Sequence, residues 1–176
     1  MEHLRDWILK TFGVFFVISC FTMVFALHAE AALPKSSFAV LANGPSPQHT
    51  KSTEAIVTRQ LLNKGYKVVD PKKLEAIKRD RIARLALAGD VEAILKLSSG
   101  HGATMIVIQV EAGQPVINEF KLYTGTSSLA VTVGAPNGSI IYAETTMGKQ
   151  VGYTSDEAAQ KSIEAAATRA VAGMTE

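Results

Sequence analysis

The sequence predicts an α/β domain: a mixed sheet of four or five strands with helices packed on it, in the order β-α-β-α-α-β-β-β-α. Three observations carry this. "ATMIVIQV", Ala103 to Val110, is apolar on successive residues, which suits a strand buried on both faces. Upstream of it, apolar residues recur at helical spacing between capping residues and glycines. Downstream, two β-rich runs meet at Asn137-Gly138, the strongest short hairpin signal. Parallel strands need helical crossovers and a hairpin makes antiparallel ones, so a sheet holding both is mixed.

The elements follow in order. "KSSFAVLAN", Lys35 to Asn43, is a short strand that stops at the loop "GPSP". "TKSTEAIVTRQLLNKG" offers N-caps between Thr50 and Thr53, sets Ile56, Val57 and Leu61 on one face, and ends at Gly65. "YKVVD" is a brief strand running into Asp70, an N-cap, and Pro71, which suits the first helical turn. Pro71 to Ala88 reads as one helix, with Leu74, Ile77, Ile82 and Leu85 as its apolar stripe. Gly89 stops it, Asp90 caps "VEAILKLSS", and Gly100 is assigned the left-handed residue that ends this next helix.

His101-Gly102 then links into the central strand. There Ile106 and Ile108 are expected to face one side and Val107 and Gln109 the other, with helices over both. Leu129, Val131 and Val133 alternate with Ala130, Thr132 and Gly134, so one face is buried and the other wet. "TSDEAAQKSIEAAATRAVAGM" opens on a capping-box pattern, Thr154 to Glu157. Its apolar face (Ala159, Ile163, Ala166, Ala170, Met174) is mostly alanine, which lets the helix lie close on the sheet.

Of the 176 residues 47% are apolar, enough to bury a core, and the net charge of +2 does not suggest a nucleic-acid partner. Cys20 is the only cysteine, which excludes an intramolecular disulfide and a cysteine-rich zinc site. His3, His28, His49 and His101 are too far apart in sequence for a metal-ligand motif. At the N-terminus Arg5 and Lys10 precede the uncharged run Thr11 to Leu27, and Ala29 and Ala31 meet the small-x-small rule for signal peptidase. Residues 1–31 are therefore expected to be a cleaved signal, with residues 32–176 a single domain in the periplasm. Two alternatives stay open. The run reaches the lower limit for a membrane span, which allows a retained inner-membrane anchor. "VISC", Val17 to Cys20, allows a lipoprotein modified on Cys20. All three export the rest of the chain.

Several motifs in this order resemble a group of bacterial envelope domains. They are "FAVLAN", "LLNKGYKVVDPKKLEAI", "GHGATMIVIQV" and "SIIYAETTMGKQVGYTSDEAAQKSIEAAATRAV", spanning Phe38 to Val171. The group includes the TolB N-terminal domain, the curli-secretion lipoproteins, the outer-membrane activators of penicillin-binding proteins and the flagellar assembly protein T family. The chain departs from these relatives in having no β-propeller after the domain and no convincing lipobox. The resemblance implies a stand-alone, TolB-like adaptor or assembly factor that binds envelope proteins of the flagellar, Tol or cell-wall machinery and is not an enzyme.

The residues agree with that expectation. No GxSxG, Walker or HExxH motif is present. In "GHG" the order is helix, glycines, strand, the reverse of a phosphate-binding loop, so His101 is read as a linker. Asp70 is a cap, Glu111 and Glu119 lie where strands leave the core, and Glu144 is placed on a wet strand face. No catalytic residue, metal ligand or cofactor is therefore assigned. The one candidate surface is the basic set Lys72, Lys73, Lys78, Arg79, Arg81 and Arg84, set against only Glu75 and Asp80. A solvated helix face explains it, and so does a docking surface for acidic protein, phospholipid or lipopolysaccharide. Expected partners are envelope proteins, with homo-oligomers allowed, no nucleic acid, and membrane only if the N-terminal segment is retained. A small-ligand or cell-wall-sensing module is the alternative function.

Overall fold

The computed structural model describes Leu33 and residues 36–175. The signal, anchor and lipoprotein readings all fall on residues outside this set. Residues 32–176 form a unit of their own, and among the described residues both apolar cores draw only on Leu33 to Met174.

Strand β1 (Phe38–Asn43) leads to helix α1 (Pro47–Asn63), and a loop passing Val68 leads to α2 (Pro71–Arg79), α3 (Ala83–Leu87) and α4 (Val91–His101). Then follow β2 (Thr104–Ala112), the two-residue β3 (Val116–Ile117), β4 (Tyr123–Gly134), β5 (Ile140–Gly152) and α5 (Ser155–Thr175). The predicted class and order hold. β1 and β2 are parallel neighbours, and β4 lies antiparallel to β2, β3 and β5. β3 and β2 share one edge of β4 while β5 takes the other. "YKVVD" contributes only a single parallel bridge, Phe38 with Val68, because Phe38 exchanges backbone bonds with Lys67 and Val69 before Asp70 starts a helix.

Each face of β2 meets helices, as the run of apolar residues requires. Ile106, Ile108 and Val110 join Val40, Leu129 and Val131 under α1 and α5. Met105 and Val107 join Leu41 under Ile77 of α2, Ala83 and Ala86 of α3, and Ile94 and Leu97 of α4. α5 packs with the predicted alanines buried and comes very close to the sheet, because β4 and β5 present Gly125, Gly148 and Gly152 beneath it. Its start is tied by Thr154 Oγ1, which accepts from Glu157 N at 3.2 Å, while the Glu157 carboxylate accepts from Tyr153 N at 2.8 Å.

Four local expectations change. α1 begins at Pro47 on the Ser46 cap, not between Thr50 and Thr53, because proline at the first position presets the helix one turn earlier. The helix read from Pro71 to Ala88 breaks at Asp80, whose backbone is extended (φ −60°, ψ 138°) and whose Oδ1 accepts from Ile82 N at 3.0 Å. Gly100 is helical. Gly102 takes the left-handed conformation (φ 57°, ψ 37°) and ends α4 two residues later. At the hairpin only Gly138 has positive φ, while the Asn137 side chain accepts from Ser139 N.

Candidate functional site

The break at Asp80 positions the basic set. Four of the six predicted residues, Lys78, Arg79, Arg81 and Arg84, surround an open cleft of about 520 Å³ together with Asp80. Lys72 and Lys73 sit at the opposite end of α2 and do not join it. Within the cleft Lys78 is already engaged. Its Nζ lies 2.8 Å from Glu54 Oε2, and Glu54 Oε1 accepts from Ala42 N at 3.0 Å, so this pair covers the outer edge of β1. Arg79, Arg81 and Arg84 are exposed and, among the described residues, enter no ion pair.

Asp80 is held on both oxygens. Besides Ile82 N, its Oδ2 lies 3.1 Å from His101 Nε2. The backbone bond from Ile82, followed by the His101 contact, lowers the carboxyl pKa below its usual value. His101 is thus more than a linker. From the last turn of α4 it reaches back to the α2–α3 break and pins it. Sequence reasoning missed this because the two residues are far apart along the chain.

The second feature is a face of the sheet that no helix covers. α2, α3 and α4 lie over β1, β2 and the Gly134–Ile140 end of β4 and β5, and leave the rest of that side open. Cross-strand pairing lays Thr124, Thr126, Ser128, Ala130 and Thr132 of β4 beside Val151, Lys149, Met147, Thr145 and Ala143 of β5 on that side. β3 extends it, since Val116 pairs with Thr124, making a row Val116–Thr124–Val151 across three strands. Val116 is 68% exposed, Met147 66%, and Phe120 and Tyr153 at the same end of the sheet 73% and 79%. The alternation from Leu129 to Gly134 marked one face as wet. It did not show that the outward residues are mostly small, β-branched and uncharged, as they are once β5 is aligned.

Glu144 is exposed, yet it lies on the helix side of the sheet, in the series with Thr146, whose hydroxyl donates to Ala166 O at 3.0 Å. Tyr142 OH donates to Glu144 Oε2 at 2.5 Å, and burial first, then this bond, pushes the phenol pKa well up. Asp70 accepts from Lys73 N at 2.9 Å as the cap it was read to be, and Glu111 and Glu119 are exposed. A further concavity, of about 400 Å³, opens at the carboxyl ends of β1 and β2, lined by Asn43, Gln109 and Glu111. Among the described residues, no three His, Cys, Asp or Glu side chains are placed to hold a metal ion, and no helix is long and apolar enough to cross a membrane.

No family profile matches the chain, and no curated protein matches it at a significant level. Solved structures do. Lipoprotein GNA1162 from Neisseria meningitidis aligns with a TM-score of 0.52 at 19% identity, over 78% of this chain and 99% of its own. PelC from Paraburkholderia phytofirmans, solved as a dodecamer in two crystal forms, aligns at 13% identity with TM-scores of 0.49 and 0.48. Those alignments span 82% of this chain and 93% and 89% of PelC. The chain thus shares its fold with the lipoprotein GNA1162.

Proposed function

We propose that this chain is a non-catalytic adaptor of the bacterial envelope that binds other envelope proteins through the open face of β3, β4 and β5. The observation that carries this is the Val116–Thr124–Val151 row with exposed Met147, Phe120 and Tyr153 around it. Large apolar side chains left exposed near one another mark a protein-binding site on a folded domain. Small β-branched residues on an open sheet face leave room for a partner helix laid across them. The fold shared with GNA1162, itself a lipoprotein, supports an exported location, and the N-terminal pattern of charge, apolar run and small-x-small residues supports delivery to the periplasm. The TolB-like resemblance directs the search for partners to the flagellar, Tol and cell-wall machinery.

The test is affinity capture from envelope extract with residues 32–176 as bait, comparing wild type with Val151→Asp and with Arg59→Glu on α1. A protein retained by wild type and Arg59→Glu and lost by Val151→Asp supports the reading. Equal retention by all three contradicts it. A second reading, a small-ligand module, rests on the cleft at the carboxyl ends of the parallel strands β1 and β2, the position where open α/β sheets bind ligands. Soluble cell-wall fragments that protect the domain against thermal unfolding, and fail to protect Gln109→Ala, would favour it.

A further inference from the structure

The cationic break between α2 and α3 belongs to the helical layer over β1 and β2 and has a chemistry of its own. We propose that it docks the domain onto an anionic phospholipid bilayer. Arg79, Arg81 and Arg84 would meet the headgroup phosphates, and Leu85 the boundary between headgroups and acyl chains. This contact is separate from the protein-binding face and does not depend on the N-terminal segment.

The charges are available. The three guanidinium groups have no ion-pair partner among the described residues, while the acids beside them are occupied: Asp80 by Ile82 N and His101, Glu54 by Ala42 N and Lys78. Glu75 remains as the one exposed acid on α2. Arginine presents a planar fork of donors that matches phosphate oxygens two at a time, which a lysine cannot do. The cleft is therefore rich in donors and suits a ligand that only accepts.

The apolar content favours lipid over protein. A protein interface has an apolar centre from which charge is depleted. Here the arrangement is inverted: Leu85, 56% exposed, is the one large exposed aliphatic residue of α2 and α3, and it follows Arg84 directly in the chain. A leucine next to arginines supplies the mix of apolar and basic contacts that elements at a bilayer interface use. A bilayer also needs no fixed complementary shape, and the break between two short helices offers none.

The test is co-sedimentation of residues 32–176 with vesicles of phosphatidylglycerol and phosphatidylethanolamine, with pure phosphatidylcholine vesicles as the neutral arm. Each basic side chain near an anionic surface strengthens binding by about fivefold at moderate ionic strength. Arg79→Gln, Arg81→Gln and Arg84→Gln together should therefore weaken binding about a hundredfold. The matched set Lys51→Gln and Arg59→Gln on α1 and Lys64→Gln at its C-cap should stay close to wild type. Leu85→Asp alone should weaken binding severalfold, and thermal melts monitor the fold of each variant. Wild type that fails to sediment with phosphatidylglycerol, or triple variants that bind alike, would overturn the proposal. Sedimentation only with lipopolysaccharide-containing vesicles would also overturn it. So would capture of an acidic protein through this face without vesicle binding. Loss of Val151-dependent protein capture would leave the vesicle result untouched, so the two readings fail separately.

Discussion

Replacing Gly148 by alanine should unseat the last helix. The added methyl carbon would sit far inside van der Waals contact distance of the Ser162 carbonyl oxygen, 2.9 Å from the Ser162 carbonyl carbon and 2.8 Å from Ala166 N. All three are backbone atoms of α5, so no side-chain rotation relieves the overlap and the helix must lift. Lifting loosens Ile163, Ala166 and Ala170, which are fully buried on the β4–β5 side of α5, and strains the Thr146 bond to Ala166 O. Overpacking of this kind costs about 1–3 kcal/mol, and rigid neighbours place the change at the upper end. For a domain of this size that lowers Tm by roughly 6–12 °C. The internal control is Gly100→Ala, a helical glycine whose added methyl meets nothing within 4 Å. It should gain about 0.5–1 kcal/mol from the lost chain entropy of the unfolded state. Urea unfolding followed by circular dichroism reads both. A Gly148→Ala midpoint equal to wild type would show that α5 does not rest on the β5 backbone, and the account of the sheet's helix side would fail.

Three further outcomes follow from the same packing. Ile106→Ala should cost about 2–5 kcal/mol, since the side chain is fully buried between β2 and the helices; a loss below about half a kcal/mol in urea titration would make β2 peripheral. Gly102→Ala should cost about 1 kcal/mol, because Gly102 holds the left-handed conformation that ends α4, and an unchanged melting curve would contradict that assignment. Asp80→Asn tests the pinned break by pH. The folded-state carboxyl pKa lies below its unfolded value, so the stability it contributes is complete above the unfolded pKa and is lost as pH falls through the folded one. Wild type should therefore exceed Asp80→Asn in urea midpoint at neutral pH and converge with it in acid, and a gap that widens in acid would refute the sign.

The fold was legible wherever one residue type does one job. Asp70 and Asp90 cap their helices, Gly65 and Gly89 take positive φ behind theirs, and the apolar run through Ile106 lies between two helical layers, as read. The errors came where tertiary bonds choose between local options. Either Gly100 or Gly102 could end α4. The Ser98 hydroxyl, its one hydrogen shared between Ala103 O at 2.6 Å and Gly134 O at 2.9 Å, ties the later residues to the sheet. The break at Asp80 keeps Ile77 and Ala83 both buried, so the apolar spacing on either side carried no mark of it. Gly125, Gly148 and Gly152 did carry a signal, since glycine within a strand marks close approach of another backbone. The cationic set was visible as composition, but only the break shows which of its members converge and that Lys78 is spent on Glu54. The open sheet face was hidden because it exists only after β3, β4 and β5 are put in register.

The central claim is that this face holds a partner protein. Its most direct measurement is site-specific photo-crosslinking in living cells, with the reactive group placed at position 151 or position 116 on the open face, and at position 59 on α1 as control. The account predicts an adduct with one defined envelope protein from positions 151 and 116 and none from position 59. Adducts equally strong from position 59, or from positions 151 and 116 only with a second copy of this chain, would contradict it.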